Sequence, residues 1–407
     1  MKLIKKTQII FFVTFLFSSI SAQNSFVSIR GKEIIDANGE KLLLKGINLG
    51  NWLVPEGYMF KFENATSPRL IYEVFNQMLG PDEARKFWKE YRDNYIIYED
   101  IKFLKQCGFN SVRVPFNYRL FVLNDNPLKL QGPGYELLDN VINWCKKENI
   151  YVILDMHCAP GGQTGDNIDD SYGYPFLFEN RESQDLTIAI WKKLAERYTD
   201  ETIVIGYDLL NEPIAHYFNQ DKLNPLLEPL YKKIVSAIRE VDKNHLVFLG
   251  GSQWDSNFQI FGPPFDPKLV YTFHKYWTDS DESVIKEYMD FRVRYNVPIW
   301  LGESGENTYE WISDFRKTLE RNEIGWSFWP YKKLDSERCI ISIKKTEEYD
   351  RIIEFANGER TSFVDLRENR PDIEIVRKAL TDYLENCKLQ NCKINNEYLE
   401  ALGLNQK

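Results

Sequence analysis

Short apolar runs, each closed by polar residues, recur along this chain, and between most of them the apolar positions fall into helical spacing. A turn signal at Asn38-Gly39, preceded by Phe26-Val-Ser-Ile and Glu33-Ile-Ile, predicts a short N-terminal β-hairpin leading into the first run, Leu42 to Asn48. Seven further runs follow: Ser111 to Phe116, Tyr151 to His157, Val204 to Asn211, His245 to Gly250, Val270 to Tyr276, Pro298 to Glu303, and Gly325 to Trp329. Each reads as a buried strand. Helices are predicted at Ile97 to Gly108, Tyr135 to Asn149, Ser183 to Tyr198, Leu226 to Asp242, Asp281 to Tyr295, Tyr309 to Asn322, and Asp372 to Asn386. In the first of these Gly108 sits where a C-cap belongs. In the last, Ile373, Val376, Leu380 and Leu384 mark one apolar face.

Eight strands alternating with helices predict an α/β fold, a closed (β/α)8 TIM barrel, with the hairpin at its start. An open doubly wound sheet would carry a Gly-rich phosphate turn after an early strand, and the sequence has none. No linker, short repeat or low-complexity stretch divides the chain, so residues 23–407 read as a single domain. Three segments exceed a plain connection: Val54 to Asp93, Cys158 to Glu182, and Lys332 to Asn369. Each follows a strand and would shape the active face of a barrel.

The 407 residues are 43% hydrophobic, enough for a barrel-sized core. A formal net charge of −9, without a basic run past the N-terminus, argues against nucleic acid and anionic membranes as partners. Lys2, Lys5 and Lys6 precede the apolar stretch Ile9 to Phe17 and the small residues up to Ala22. This predicts a secretory signal peptide over residues 1–22, and a secreted or periplasmic protein without a membrane anchor. Six cysteines are too few for a disulfide framework. Cys107, Cys145, Cys158 and Cys339 read as buried thiols, while Cys387 and Cys392 could either pair or stay free. The four His and six Cys show no metal-ligand spacing, so no metal and no cofactor is expected. The protein reads as a monomer.

Chemistry gathers at the ends of the strands. The fourth strand runs into Asn211-Glu212-Pro213, and proline, which lacks a donor for the ladder, stops it there. The seventh, Ile299-Trp-Leu-Gly-Glu303, ends in a second carboxylate. In a closed barrel both ends open on one rim. Two carboxylates across a cleft suit hydrolysis of a glycosidic bond, one protonated to serve the leaving oxygen and one ionised to attack. Either glutamate alone reads equally well as a salt-bridged loop residue; the pair with its neighbours does not. Asp155 and Asp208 share strand parity with His157 and Glu212 and read as inward supporting groups. His216 and His245 carry no such signal.

Arg113 in Ser-Val-Arg-Val-Pro, His157 in Leu-Asp-Met-His, Asn211-Glu212-Pro213, His274 and Tyr276 in Thr-Phe-His-Lys-Tyr, Glu303 in Leu-Gly-Glu, and Trp329 in Trp-Ser-Phe-Trp follow one order on successive strands. In that order the chain resembles glycoside hydrolase family 5, the cellulase-type family whose catalytic glutamates end strands four and seven. The resemblance runs from about Phe26 to Trp329. It implies a retaining β-glycosidase with Glu212 as acid/base and Glu303 as nucleophile. It further implies that Arg113 and Tyr276 serve Glu303, that Asn211 meets the sugar 2-hydroxyl, and that His157, His274 and Trp329 surround the sugar to be cleaved.

Within the family, Leu44-Lys-Gly-Ile-Asn-Leu-Gly-Asn-Trp-Leu-Val-Pro-Glu56 is similar to a motif of the exo-β-1,3-glucanase branch, as is His157-Cys-Ala-Pro-Gly-Gly-Gln163 with Asp166-Asn167. Asn51 stands where that motif has glycine, and Pro55 alters the approach to Glu56. Glu56 is a candidate for binding a terminal sugar, and Trp52, Phe116, Tyr118, Tyr217 and Trp277 are candidate stacking platforms. The implied substrate is a β-1,3/β-1,6-glucan or oligosaccharide attacked from its end. Alternatives are an endo-β-1,4-glucanase or β-mannanase, a transglycosylase, or a carbohydrate-binding protein that has lost catalysis.

Overall fold

The computed structural model describes residues 26–123 and 129–405. Eight parallel strands close into a barrel: β1 (Lys45–Asn48), β2 (Ser111–Asn117), β3 (Tyr151–Cys158), β4 (Val204–Asp208), β5 (Leu246–Gly250), β6 (Leu269–Lys275), β7 (Ile299–Ser304) and β8 (Gly325–Phe328). They pair in sequence order, and β8 closes back on β1. All eight predicted runs are barrel strands. The hairpin is present as an antiparallel pair, Ser28–Arg30 with Glu33–Ile35. The signal-peptide segment lies outside the described residues.

The helices are α1 (Pro68–Leu79), α2 (Pro81–Tyr95), α3 (Tyr98–Cys107), α4 (Gly134–Glu148), α5 (Arg181–Tyr198), α6 (Gln220–Val241), α7 (Lys286–Tyr295), α8 (Tyr309–Arg321), α9 (Tyr349–Asn357), α10 (Phe363–Asn369), α11 (Ile373–Asn386) and α12 (Asn396–Ala401). The predicted helix from Leu226 starts earlier, at Gln220, and continues through Pro225 and Pro229. Its buried face of Leu223, Leu227, Leu230, Tyr231 and Ile234 outweighs two missing backbone donors. No described helix is long and apolar enough to cross a membrane.

Burial along the barrel axis explains where the chemistry sits. One apolar cluster joins Val27 and Ile34 of the hairpin region to Ile153, Ile205, Val270 and Trp300 of the strands. Residues two apart on a strand share a face. Ile153, Asp155 and His157 on β3 thus pass from apolar to charged to polar on the way to the strand's carboxyl end.

Two of the three long segments hold regular structure. After β1 come α1 and α2, each with proline at its N-terminus, where a missing N–H costs nothing. Their aromatic face, with Phe75, Phe87 and Trp88, packs around Phe60 and Tyr91. After β8 comes β9 (Lys332–Leu334), then β10 (Ile341–Ile343). The polar tail returns as β11 (Lys393–Ile394) to complete a three-stranded sheet. Lys332 is fully buried there, its ammonium on Asp100 Oδ1 at 2.8 Å. The six cysteines are unpaired; Cys387 and Cys392 each turn Sγ to a backbone carbonyl.

Candidate active site

At the carboxyl ends of the strands lies a cleft of about 680 Å³. Glu56, His157, Asn211, Glu212, His274, Tyr276, Trp277, Glu303 and Trp329 all line it. Arg113 lies beneath, wholly buried, and is the node of the site. Its Nε donates to Asp208 Oδ2 (2.8 Å), Nη1 to Glu303 Oε1 (2.5 Å) and Asn48 Oδ1 (3.1 Å), and Nη2 to Asn211 Oδ1 (2.9 Å). Asp155 Oδ1 stands 3.2 Å from Nη2. Burial alone would weaken the guanidinium's hold on its proton, but Asp155, Asp208 and Glu303 raise its pKa further. The fork of donors fixes the nucleophile candidate and the Asn211 amide in one plane of contacts.

The two glutamates are partnered differently. Glu303 accepts from Arg113 on Oε1 and from the Tyr276 hydroxyl on Oε2 at 3.1 Å. Burial, and then the charge of Glu303, raises the Tyr276 pKa, so the phenol stays a donor. Glu212 Oε1 lies 2.8 Å from His274 Nδ1. Burial raises the Glu212 carboxyl from 4.5 to about 7, although His157 and Arg113 act to lower it. Burial likewise lowers His274 to about 3 and His157 to about 4, so both imidazoles are neutral. One ligand atom each from Glu212, Glu303 and His274 lie within 4.8 Å of one another. This is the trio, among the described residues, whose atoms could converge on a cation. The fit is poor: both oxygens of Glu303 are taken by Arg113 and Tyr276, and His274 Nδ1 faces Glu212.

Asp155 and Asp208 are inward, as their parity predicts. Asp155 Oδ2 lies 2.7 Å from His157 Nδ1, which orients that ring. Trp329 stacks on His157 with ring centroids 5.5 Å apart and planes 8° apart. A Cβ on Gly50 would meet the Trp329 ring at 2.5 Å, so only glycine fits beneath it. Asn51, in place of the motif's glycine, keeps a left-handed φ of 63°, and its Oδ1 accepts from the Glu56 backbone N–H at 2.9 Å. Glu56 is buried, and its Oε1 has no hydrogen-bond partner among the described residues. Burial, then Glu303, Glu212 and Glu306, pushes its carboxyl well above the usual range.

Three platform expectations are corrected. Trp52 and Phe116 belong to the core: Trp52 Nε1 donates to Arg92 O at the end of α2, and Phe116 packs edge-on against Phe121 and Trp191. Tyr118 is half-buried outside the cleft lining. Tyr217 is exposed and bonds Asp166 at the rim. Trp277 lines the cleft with 76% of its surface free. His245 is structural, 2.6 Å from Asp242.

Sequence reasoning missed Tyr58, Trp254, Asp255, Glu306 and Lys333. Lys333 Nζ donates to both oxygens of Glu306 (2.9 and 2.8 Å) and lies 4.4 Å from the centroid of the Tyr58 ring. Tyr58 in turn accepts the Trp329 indole N–H at 2.7 Å. Only the position of Glu306, just beyond a strand end, marked it in the sequence.

The family model described as Cellulase (glycosyl hydrolase family 5) matches residues 84–335. Among curated relatives, the chain is 28% identical over 356 residues to a beta-xylosidase of Phanerodontia chrysosporium, covering 78% of this chain and 72% of that one. It is 27% identical over 354 residues to endoglucanase C of Acetivibrio thermocellus, covering 72% and 92%. It is 25% identical over 342 residues to glucan 1,3-beta-glucosidase 2 of Wickerhamomyces anomalus, covering 81% and 75%.

Proposed function

The chain belongs to glycosyl hydrolase family 5 and is a glycoside hydrolase, and from that premise we propose that it is an exported, retaining β-glycosidase that removes sugars from the end of a β-glucan chain. The observation that carries the reaction is the unequal pair. Glu303, held by Arg113 and Tyr276, is the nucleophile; Glu212, carrying its proton to about pH 7, is the acid/base. Retaining enzymes keep the two carboxyls about 5–5.5 Å apart, and an approach within 4.8 Å supports that geometry over the wider inverting one.

In the first step Glu303 Oε attacks the anomeric carbon, the glycosidic C–O bond breaks, and Glu212 gives its proton to the departing oxygen. In the second, Glu212 takes a proton from water, the hydroxide oxygen bonds the anomeric carbon, and Glu303 leaves as carboxylate. Asn211, fixed by Arg113 and by Gln163 on its carbonyl (2.8 Å), addresses the 2-hydroxyl.

The side of attack also orders the cleft. The leaving group departs past Glu212, over the loops after β4, β5 and β6, where Trp254 and Trp277 stand. The sugar retained in the intermediate lies toward β7, β8 and β1. There Lys333, Glu306 and Tyr58 form a wall tied to Trp329, and the buried Glu56 carboxyl, with Oε1 unpartnered among the described residues, faces a hydroxyl of a terminal sugar. That wall supports end-on attack, and the likeness to a glucan 1,3-beta-glucosidase supports a β-glucan. The open, aromatic leaving-group side, with the likeness to an endoglucanase, favours internal cleavage as the second reading. Residues 1–22 support export, and a mature N-terminus at Gln23 would be read by mass spectrometry.

Laminarin, β-1,6-glucan, cellulose, mixed-linkage glucan and mannan are offered, and product sizes are followed with time. Monosaccharide from the outset, with retained anomeric configuration, is expected on a β-glucan; a ladder of oligomers overturns the end-on reading. Near-full activity in Glu303→Ala would overturn the nucleophile.

A further inference from the structure

We propose that Asp255 is a positioning residue for the proton of Glu212, acting on it from both ends: through His274 at the carboxyl and through the Glu212 backbone. The proposal rests on the acid/base role given to Glu212 above.

Asp255 follows β5 in a short turn whose three consecutive residues, Gln253, Trp254 and Asp255, have φ of 51°, 60° and 57°. Non-glycine residues rarely adopt this conformation even singly, and a run of three needs a reason. Gln253 holds the turn: its Oε1 accepts from Ser252 Oγ (2.7 Å) and Asn257 Nδ2 (2.8 Å). The turn drives the Asp255 carboxyl inward until it is fully buried against Gly250. A Cβ at Gly250 would come within 1.7 Å of Asp255 Oδ1, so the strand ends in glycine to admit it. Oδ1 has no hydrogen-bond partner among the described residues. Oδ2 accepts the Glu212 backbone N–H at 3.1 Å and lies 3.3 Å from His274 Nε2, off the line of a good hydrogen bond. The opposite ring nitrogen, Nδ1, is the one against Glu212 Oε1. Glu212 itself has a left-handed φ of 47°, so the backbone bond to Asp255 pins a residue that the chain alone would not hold there.

The consequence concerns tautomers. His274 is neutral, so it carries one ring proton. With Asp255 ionised, its charge 3.3 Å from Nε2 favours the tautomer protonated there, and Nδ1 is left as an acceptor, which keeps the Glu212 proton in place for the leaving group. With Asp255 protonated that preference is lost, and Nδ1–H donates to an ionised Glu212, the form needed to receive a proton from water. The protonation of two buried carboxyls, both raised by burial, is thereby linked across a neutral imidazole. The other charged groups facing this pair are Glu303, 3.8 Å from Nδ1, Arg113 and Asp208 beneath, and His157 and Asp166 from β3 and the loop after it. Tyr231 of α6 and Tyr288 of α7 also face it; their hydroxyls donate to the carbonyls of Gly250 and Ser256 and stay protonated.

Asp255→Asn keeps the shape and the acceptor for the Glu212 N–H. With the amide oxygen at the Oδ2 position the amide nitrogen takes the Oδ1 place against Gly250, so the variant removes the carboxylate charge beside His274 Nε2 without adding a donor to it, and His274 turns Nδ1–H toward Glu212, favouring the ionised acid. The test compares kcat/KM on aryl β-glucosides with a good leaving group (2,4-dinitrophenyl, needing no acid) and a poor one (phenyl). The expected result is a fall of at least about 10-fold on the phenyl glucoside, little change on the dinitrophenyl glucoside, and an alkaline limb moved to lower pH. Both substrates report the same folded fraction, so their ratio survives partial unfolding. An unchanged ratio and an unchanged alkaline limb overturn the proposal. Glu212→Ala separates the two readings: an equal loss on both substrates overturns the acid/base role itself, whereas a selective loss there without one in Asp255→Asn overturns only the part given to Asp255.

Discussion

Replacing Glu212 with Gln should stabilise the fold while disabling it as an acid, by an amount that grows with pH. In the folded chain this carboxyl keeps its proton to about pH 7, whereas the unfolded chain loses it near 4.5. A raised carboxyl pKa makes the folded state the tighter proton binder, so its contribution is neutral below 4.5 and becomes a growing penalty as pH rises toward 7. Above 7 both states are ionised and the penalty is complete. Linkage converts the interval into about 1 kcal/mol at pH 5 and about 3 kcal/mol at pH 8. Glutamine has the same shape, stays neutral, and can still meet His274, so the variant escapes the penalty. Urea midpoints of both proteins at pH 5 and pH 8, converted with a common slope, give the difference directly. A constant offset from the amide's own hydrogen bonds cancels between the two pH values. If the gap between variant and parent stays constant or shrinks from pH 5 to pH 8, the raised pKa and the acid role built on it are refuted. The same burial that would ready Glu212 for the proposed acid role thus lowers stability, a trade expected at active sites.

Three further outcomes follow from the geometry. Arg113→Lys keeps the charge but loses the fork that reaches Glu303, Asn211, Asp208 and Asn48, so kcat should fall about 100-fold or more, with KM changing far less; activity near the parent's would refute the node. Trp277→Ala should leave the melting midpoint unmoved and raise KM about 5-fold, whereas the buried Trp52→Ala should cost about 3–5 kcal/mol of stability; the reverse pattern would restore Trp52 as a platform. Chelator treatment should leave turnover unchanged, because Arg113 and the two rings already occupy the atoms a cation would need.

What could be read from residues alone was whatever local spacing encodes. An apolar run between helical segments is a strand in any barrel, and eight of them leave one closed topology. The carboxyl ends of parallel strands share a rim, so strand order alone gathers Arg113, His157, Glu212, His274 and Glu303. Prolines 68 and 81 mark two more helix starts, in the insertion after β1. Tertiary structure alone decided which aromatic rings are walls and which are core, because a ring's face depends on the element packed against it: α2 claims Trp52, and the barrel's outer layer claims Phe116. It also decided the far-apart partnerships. Lys333 meets Glu306, and Asp255 meets both Glu212 and His274, only because the loops after different strands fold back over one rim. Spacing along the chain carries no trace of a left-handed turn of three non-glycine residues. Packing and a buried carboxyl impose it, and the sequence shows only the glycine at position 250 that leaves it room.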